Sequence, residues 1–99
     1  SYFRFSLQTL RRVDMSLLNA PKLTHECIST IAMIRHLSSL NLECRKEFPS
    51  SAYVPISELR RLEHMSLTDA SIDDKALAKI FSTVTSIRNL TFKRCMQIR

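Results

Sequence analysis

The sequence predicts an α/β solenoid, with short parallel strands on one face and helices or loops on the other, stacked as repeated units. Three observations predict it. Ile87, Leu90, Phe92 and Cys95 follow the order L-x-x-L-x-L-x-x-C, and its apolar slots recur upstream as Leu10, Val13 and Met15, then Leu37, Leu40 and Leu42, then Leu62, Met65 and Leu67. The step between equivalent residues is 27 from Val13 to Leu40, 25 from Leu40 to Met65 and 25 from Met65 to Leu90, and a fixed period in the twenties marks stacked units. Between the first and second strands, Leu23, Thr24, Cys27, Ile28 and Ile31 match Ile72, Asp73, Ala76, Leu77 and Ile80 between the third and fourth. That second alignment is independent of the strand motif and marks a helix at the same place in two units.

On these residues the chain resembles the leucine-rich repeat family, and the period with Cys95 closing the motif resembles its cysteine-containing branch, common in F-box substrate adaptors. The resemblance covers nearly all of residues 1–99, read as a single repeat domain or a fragment of a longer array. It implies a horseshoe segment with its strands on the concave face and the role of a substrate receptor in a ubiquitin ligase. No F-box is visible in these residues. Solenoids need polar terminal repeats to cover their open ends, whereas Ser1-Tyr2-Phe3-Arg4-Phe5-Ser6 runs straight into Leu7 and the chain stops just after the fourth strand. The expectation is a segment of a longer array, or a chain whose ends are covered by neighbours.

Taken in order, residues 1–9 read as the end of a preceding convex segment with Phe3, Phe5 and Leu7 turned inward. The strands are expected near 11–16, 38–43, 63–68 and 88–93. In the first, Val13 and Met15 point inward and Arg12, Asp14 and Ser16 outward, since side chains alternate along a strand. A continuous helix over 7–18 is the competing reading, supported by Leu7, Leu10 and Leu17, but it ignores the repeat. Thr24 is placed to cap the first helix, with Glu26 in its first turn where a negative charge suits the dipole. Cys27, Ile28, Ile31, Ala32 and Ile34 form its buried stripe. Pro49 and Pro55 forbid a long regular helix in the second return, leaving an irregular loop with at most a short helical piece over 56–62. Ser71-x-x-Asp74 reads as a capping-box variant before a helix over 76–84.

Parallel strands about 4.8 Å apart turn the outward positions into rows: Arg12, Ser39, His64 and Asn89; Asp14, Asn41, Ser66 and Thr91; Ser16, Glu43, Thr68 and Lys93. Such a face is polar, mixed in charge and rich in hydrogen-bonding groups, which suits a peptide or protein surface. The plainer reading is a solvated sheet face whose partner binds elsewhere on the full-length protein. Arg35-His36 and Arg60-Arg61 share a register and form a basic edge, joined by Arg45, Lys46, Arg88, Lys93 and Arg94. An RNA or phosphate contact there competes with a merely solvated edge. Against it, Phe48, Phe81 and Phe92 are predicted buried rather than displayed for base stacking.

No catalytic, metal-binding or cofactor-binding residue is assigned. Ser66 beside His64, with Asp14 or Glu43 across the face, resembles a triad by residue type only, with nothing to supply an oxyanion site. His25-x-Cys27 sends its two ligand types to different helix faces, and Cys27 lies on the core stripe. Cys44 and Cys95 sit two strands apart, about 10 Å by strand spacing, beyond the ~7 Å Cα separation a disulfide tolerates. Cys95 is expected to close the turn after the fourth strand from a buried position, and His36 and His64 to be surface groups without an evident partner.

Composition narrows the classes further. Fifteen Lys and Arg against nine acids give a net charge of +6, which permits anionic partners without naming one. Glycine is absent, which argues against phosphate-cradling loops and nucleophile elbows. Three cysteines are too few for a disulfide scaffold and favour a reducing compartment, intracellular, in cytoplasm or nucleus. Ile31-Ala32-Met33-Ile34 is the longest aliphatic run, far below the ~18 residues of a membrane span, so no membrane partner is expected. A chain this small buries only a little over half of its unfolded surface. The expected function is protein recognition through the concave face, with a structural repeat whose basic edge contacts RNA as the alternative.

Overall fold

The computed structural model describes residues 10–18, 22 and 24–95. The inward packing expected of Phe3, Phe5 and Leu7, and the equivalence of Leu23 with Ile72, lie outside the described residues. Four strands, β1 (Arg12–Ser16), β2 (Ser39–Glu43), β3 (His64–Thr68) and β4 (Asn89–Lys93), form one parallel sheet in the order β1-β2-β3-β4. Each starts one residue inside the bound expected for it. Over 12–16 the chain is a strand, not the competing helix.

The returns are α1 (Glu26–Ile31), a 3₁₀ helix (Ser50–Glu58) and α2 (Asp74–Thr83). Both α-helices pack on the 3₁₀ helix between them, so the molecule has two layers, a sheet and a row of helical returns. Val13, Leu40, Met65 and Leu90 pair in one column, and Met15, Leu42, Leu67 and Phe92 in the next. The central members, Leu40, Leu42, Met65 and Leu67, are buried in one core with Leu37, Leu62, Ile28, Ile80 and Tyr53.

Backbone hydrogen bonding repeats with the sequence. One carbonyl before each of β1, β2 and β3 accepts two N–H groups from the next unit: Arg11 from Ser38 and Ser39, Ser38 from Glu63 and His64, Glu63 from Arg88 and Asn89. At the other end Leu17, Cys44 and Asp69 donate to Glu43, Thr68 and Lys93. Each ladder thus runs past the strand at both ends, pairing backbone groups that a buried edge would otherwise leave open.

The second return departs from expectation. Instead of a loop with a helical piece over 56–62, nine residues from Ser50 to Glu58 form a 3₁₀ helix. Tyr53, Ile56, Leu59 and Leu62 are spaced three apart and all are fully buried, which matches three residues per turn. Tertiary burial therefore holds a run longer than 3₁₀ geometry alone sustains.

The helix caps also differ. Asp73 is the N-cap of α2, its Oδ1 accepting the Ala76 N–H at 2.9 Å, while Ser71 Oγ donates to the Lys46 carbonyl at 2.8 Å instead of capping. The Asp73 N–H donates to Ser50 Oγ at 2.9 Å, tying the start of α2 to the start of the 3₁₀ helix. α1 takes His25 as its cap residue, and Thr24 Oγ1 accepts the Glu26 N–H at 3.3 Å.

Two residues expected in the core lie open. Leu90 and Phe81 are each 40% exposed. β4 is an edge strand, so its inward side chains meet neighbours on one side only. Phe81 falls on the outer side of α2, whose buried stripe is Ala76, Leu77 and Ile80. Among the described residues no helix is long and apolar enough to cross a membrane.

Candidate functional site

The outward rows are aligned by the register: Arg12 with Ser39, His64 and Asn89; Asp14 with Asn41, Ser66 and Thr91; Ser16 with Glu43, Thr68 and Lys93. Seven of the twelve are exposed, and Ser16, Ser39, Glu43, Ser66 and Thr68 are half-buried. Side-chain bonds run along these rows. Asn41 Nδ2 donates to Asp14 Oδ1 at 3.2 Å, and Ser16 Oγ donates to Glu43 Oε1. Asn89 Nδ2 meets His64 Nδ1 at 2.7 Å, and Arg12 lies 3.8 Å from Asp14. Ser39, Ser66, Thr68, Thr91 and Lys93 make no side-chain bond among the described residues, and keep their donors and acceptors for a partner.

Both histidines expected to stand alone have partners. His64 is held by Asn89, and His36 Nδ1 lies 2.8 Å from Arg61 Nη1. Arginine can only donate, so in this contact His36 Nδ1 accepts.

At the far end of the strands, Asp69 and Arg94 hold positive φ angles of 56° and 55°. These equivalent turns use Asp and Arg in a chain with no glycine, although the left-handed region disfavours a Cβ. The two side chains bond each other in a fork, Arg94 Nε to Asp69 Oδ1 at 3.0 Å and Arg94 Nη2 to Asp69 Oδ2 at 3.2 Å. That hydrogen bonding holds the Asp69 carboxyl below its ordinary range and raises the Arg94 guanidinium. Hydrogen bonding from the Ala76 N–H lowers the Asp73 carboxyl likewise.

The three cysteines are free thiols. Cys44 is buried, while Cys27 and Cys95 are half-buried against the core. Burial pushes the Cys44 thiol up to about 11 and raises Cys27 and the phenol of Tyr53 as well. The buried Tyr53 hydroxyl lies beside Cys44 without a hydrogen-bond partner of normal geometry among the described residues. A thiol so placed is a core group with little thiolate at neutral pH. Among the described residues no group of three or more His, Cys, Asp or Glu is close enough to hold a metal ion.

The basic edge opens into a cleft of about 490 Å³ beside the C-terminal ends of the 3₁₀ helix and α2. Arg35, His36, Arg60 and Arg61 line it as the shared register implies. Ser57, Glu58, Lys79 and Thr83 complete its wall; the sequence does not reveal them because they come from the helical layer, where the strand motif says nothing. Arg45, Lys46 and Arg94 gather instead at the opposite strand ends, with Asp69 and Glu47 among them. Arg45 stacks over the buried Phe48 with its guanidinium 4.8 Å from the ring centroid.

Compared with protein-family models, curated proteins and solved structures, the chain finds no match.

Proposed function

We propose that the chain is a leucine-rich repeat segment that recognises a protein partner through its strand face, as the substrate-binding part of a larger adaptor of the ubiquitin-ligase kind. The observation that carries this reading is the matched register of four strands. It lines up three rows of short polar side chains of both charge signs, five of which have unspent hydrogen-bonding groups. The rigid ladder beneath spares the partner most of the ordering cost of binding. A face of this kind fits an irregular polar surface better than a polyanion, and electrostatic complementarity there sets specificity more than affinity. The solenoid form, the protein partner and the absence of an enzymatic role are all part of the proposal.

A second reading, a structural repeat with a basic edge against RNA, gains from the four cations gathered at that edge, Arg35, Arg60, Arg61 and Lys79. One experiment separates the two. The chain, and its variant with Asn41→Ala, Glu43→Ala and His64→Ala together, are used as baits in lysate of the source cells, with and without nuclease. The strand-face reading expects a dominant protein that survives nuclease and is lost by the variant. Retention by the variant would sink it, and loss on nuclease treatment alone would favour the RNA edge.

A further inference from the structure

We propose that the cleft beside the ends of the 3₁₀ helix and α2 binds a phosphate monoester, carried on a phosphorylated side chain or a small metabolite. None of the strand-face rows lines it, so the inference stands apart from the function proposed above.

The cleft's volume, about 490 Å³, lies in the range of small-ligand sites. Arg35, Arg60, Arg61 and Lys79 face it with Glu58 as the one carboxylate, so the local balance is four positive less one negative, +3. Glu58 lies 3.6 Å from Arg35, and both are more than half exposed; such a pair is weak and easily exchanged. Arg60 and Lys79 have no side-chain hydrogen bond or ion pair among the described residues. Arg61 is steadied by His36, which occupies one of its five donors.

Helix C-termini are negative ends, and cations gather there to complement them. Hydroxyls already lie on two carbonyls at this end: Thr83 Oγ1 is 3.0 Å from the Ser57 carbonyl and Ser86 Oγ donates to the Arg60 carbonyl at 2.9 Å. Arg60, Lys79 and the remaining donors of Arg61 are open to an outside acceptor. Like charges from two units and a helix converge there, and an anion relieves their mutual repulsion. A phosphate monoester carries about −1.5 to −2 at neutral pH and accepts forked Arg hydrogen bonds on several oxygens at once. A nucleic-acid strand fits less well, because its diester phosphates carry a single charge each and no aromatic ring lines the cleft to stack a base.

The test is nuclear magnetic resonance titration of the whole chain at low ionic strength, following the Arg Nε–H signals. The probes are inorganic phosphate, N-acetyl-phosphoserine amide and decauridylate. Both monoester-like probes are expected to shift Arg35, Arg60 and Arg61 saturably. The variant Arg60→Gln/Lys79→Gln should weaken both about tenfold or more, because each substitution removes a charge-assisted hydrogen bond to the phosphate. Arg11→Gln, ahead of β1, should leave affinity unchanged, and a retained amide spectrum shows that each variant is folded. Tighter binding of the phosphoserine amide identifies a phosphorylated side chain as the source, and tighter binding of inorganic phosphate a small metabolite. Three results overturn the proposal: undiminished affinity in the double variant, shifts spread evenly over Arg11 and Arg88, or decauridylate binding in preference to both small probes.

Discussion

Leu40 and Leu90 occupy the same column of the sheet, with Val13 and Met65 as the other members, but differ in their surroundings. Leu40 is 1% exposed and Leu90 is 40% exposed. Leu40→Ala removes three carbons from a closed site, about 2.4 kcal/mol at ~0.8 per carbon. The void between Val13 and Met65 raises this to about 3–4 kcal/mol. At Leu90 only about 60% of the side chain is withdrawn from water, so truncation costs about 1.5 kcal/mol, and solvent fills the space. A chain of this size loses roughly 4–8 °C of Tm per kcal/mol. Thermal melts followed by circular dichroism should therefore show Leu40→Ala falling at least twice as far as Leu90→Ala. Equal losses, or a larger loss at Leu90, would refute both the register and the open character of β4.

Two further outcomes follow from the titrating groups. Cys44, buried and with its thiol pushed up to about 11, should resist iodoacetamide at pH 8 in the native chain while all three cysteines react in urea. Mass spectrometry of the alkylated peptides checks this, and equal labelling of Cys44 in both states would contradict its burial. Asp69 and Asp73 both have lowered carboxyl pKa values, so each contributes stability that is present above the ordinary carboxyl value and lost as pH falls through the lower folded one. Tm should then drop on acidification below about pH 4. The variant Asp69→Asn/Asp73→Asn should start a few degrees lower at pH 7 and show a flatter acid limb; an unchanged limb would assign the acid sensitivity to other groups.

The strands and their register are legible in the sequence because the column residues recur at near-constant steps, and a one-residue slip would turn every polar row into the core. The rows of candidate site residues are legible for the same reason. The bonds along them are harder to see, although repeat arithmetic contains them: Asp14 to Asn41, His36 to Arg61, His64 to Asn89 and Asp69 to Arg94 are each one period apart. The 3₁₀ helix is obscured by Pro49 and Pro55, which suggest irregularity but forbid only a long α-helix. The spacing of Tyr53, Ile56, Leu59 and Leu62 is the signal that identifies it. Exposure of Leu90 and Phe81 is a property of position in the stack, which hydropathy at a single residue does not encode.

Packing between elements joins immediate neighbours: β1 with β2, β2 with β3, β3 with β4, and the 3₁₀ helix with α1 on one side and α2 on the other. On the repeat reading proposed above, stability in such a molecule passes from unit to unit along the core they share. Its cooperativity is that of a short row of coupled switches, each biased by the state of those beside it. On that reading a unit with one neighbour opens before a unit with two, and the opening advances as a front. Amide protection in this chain therefore maps a residue's place along the row more than its depth beneath a surface.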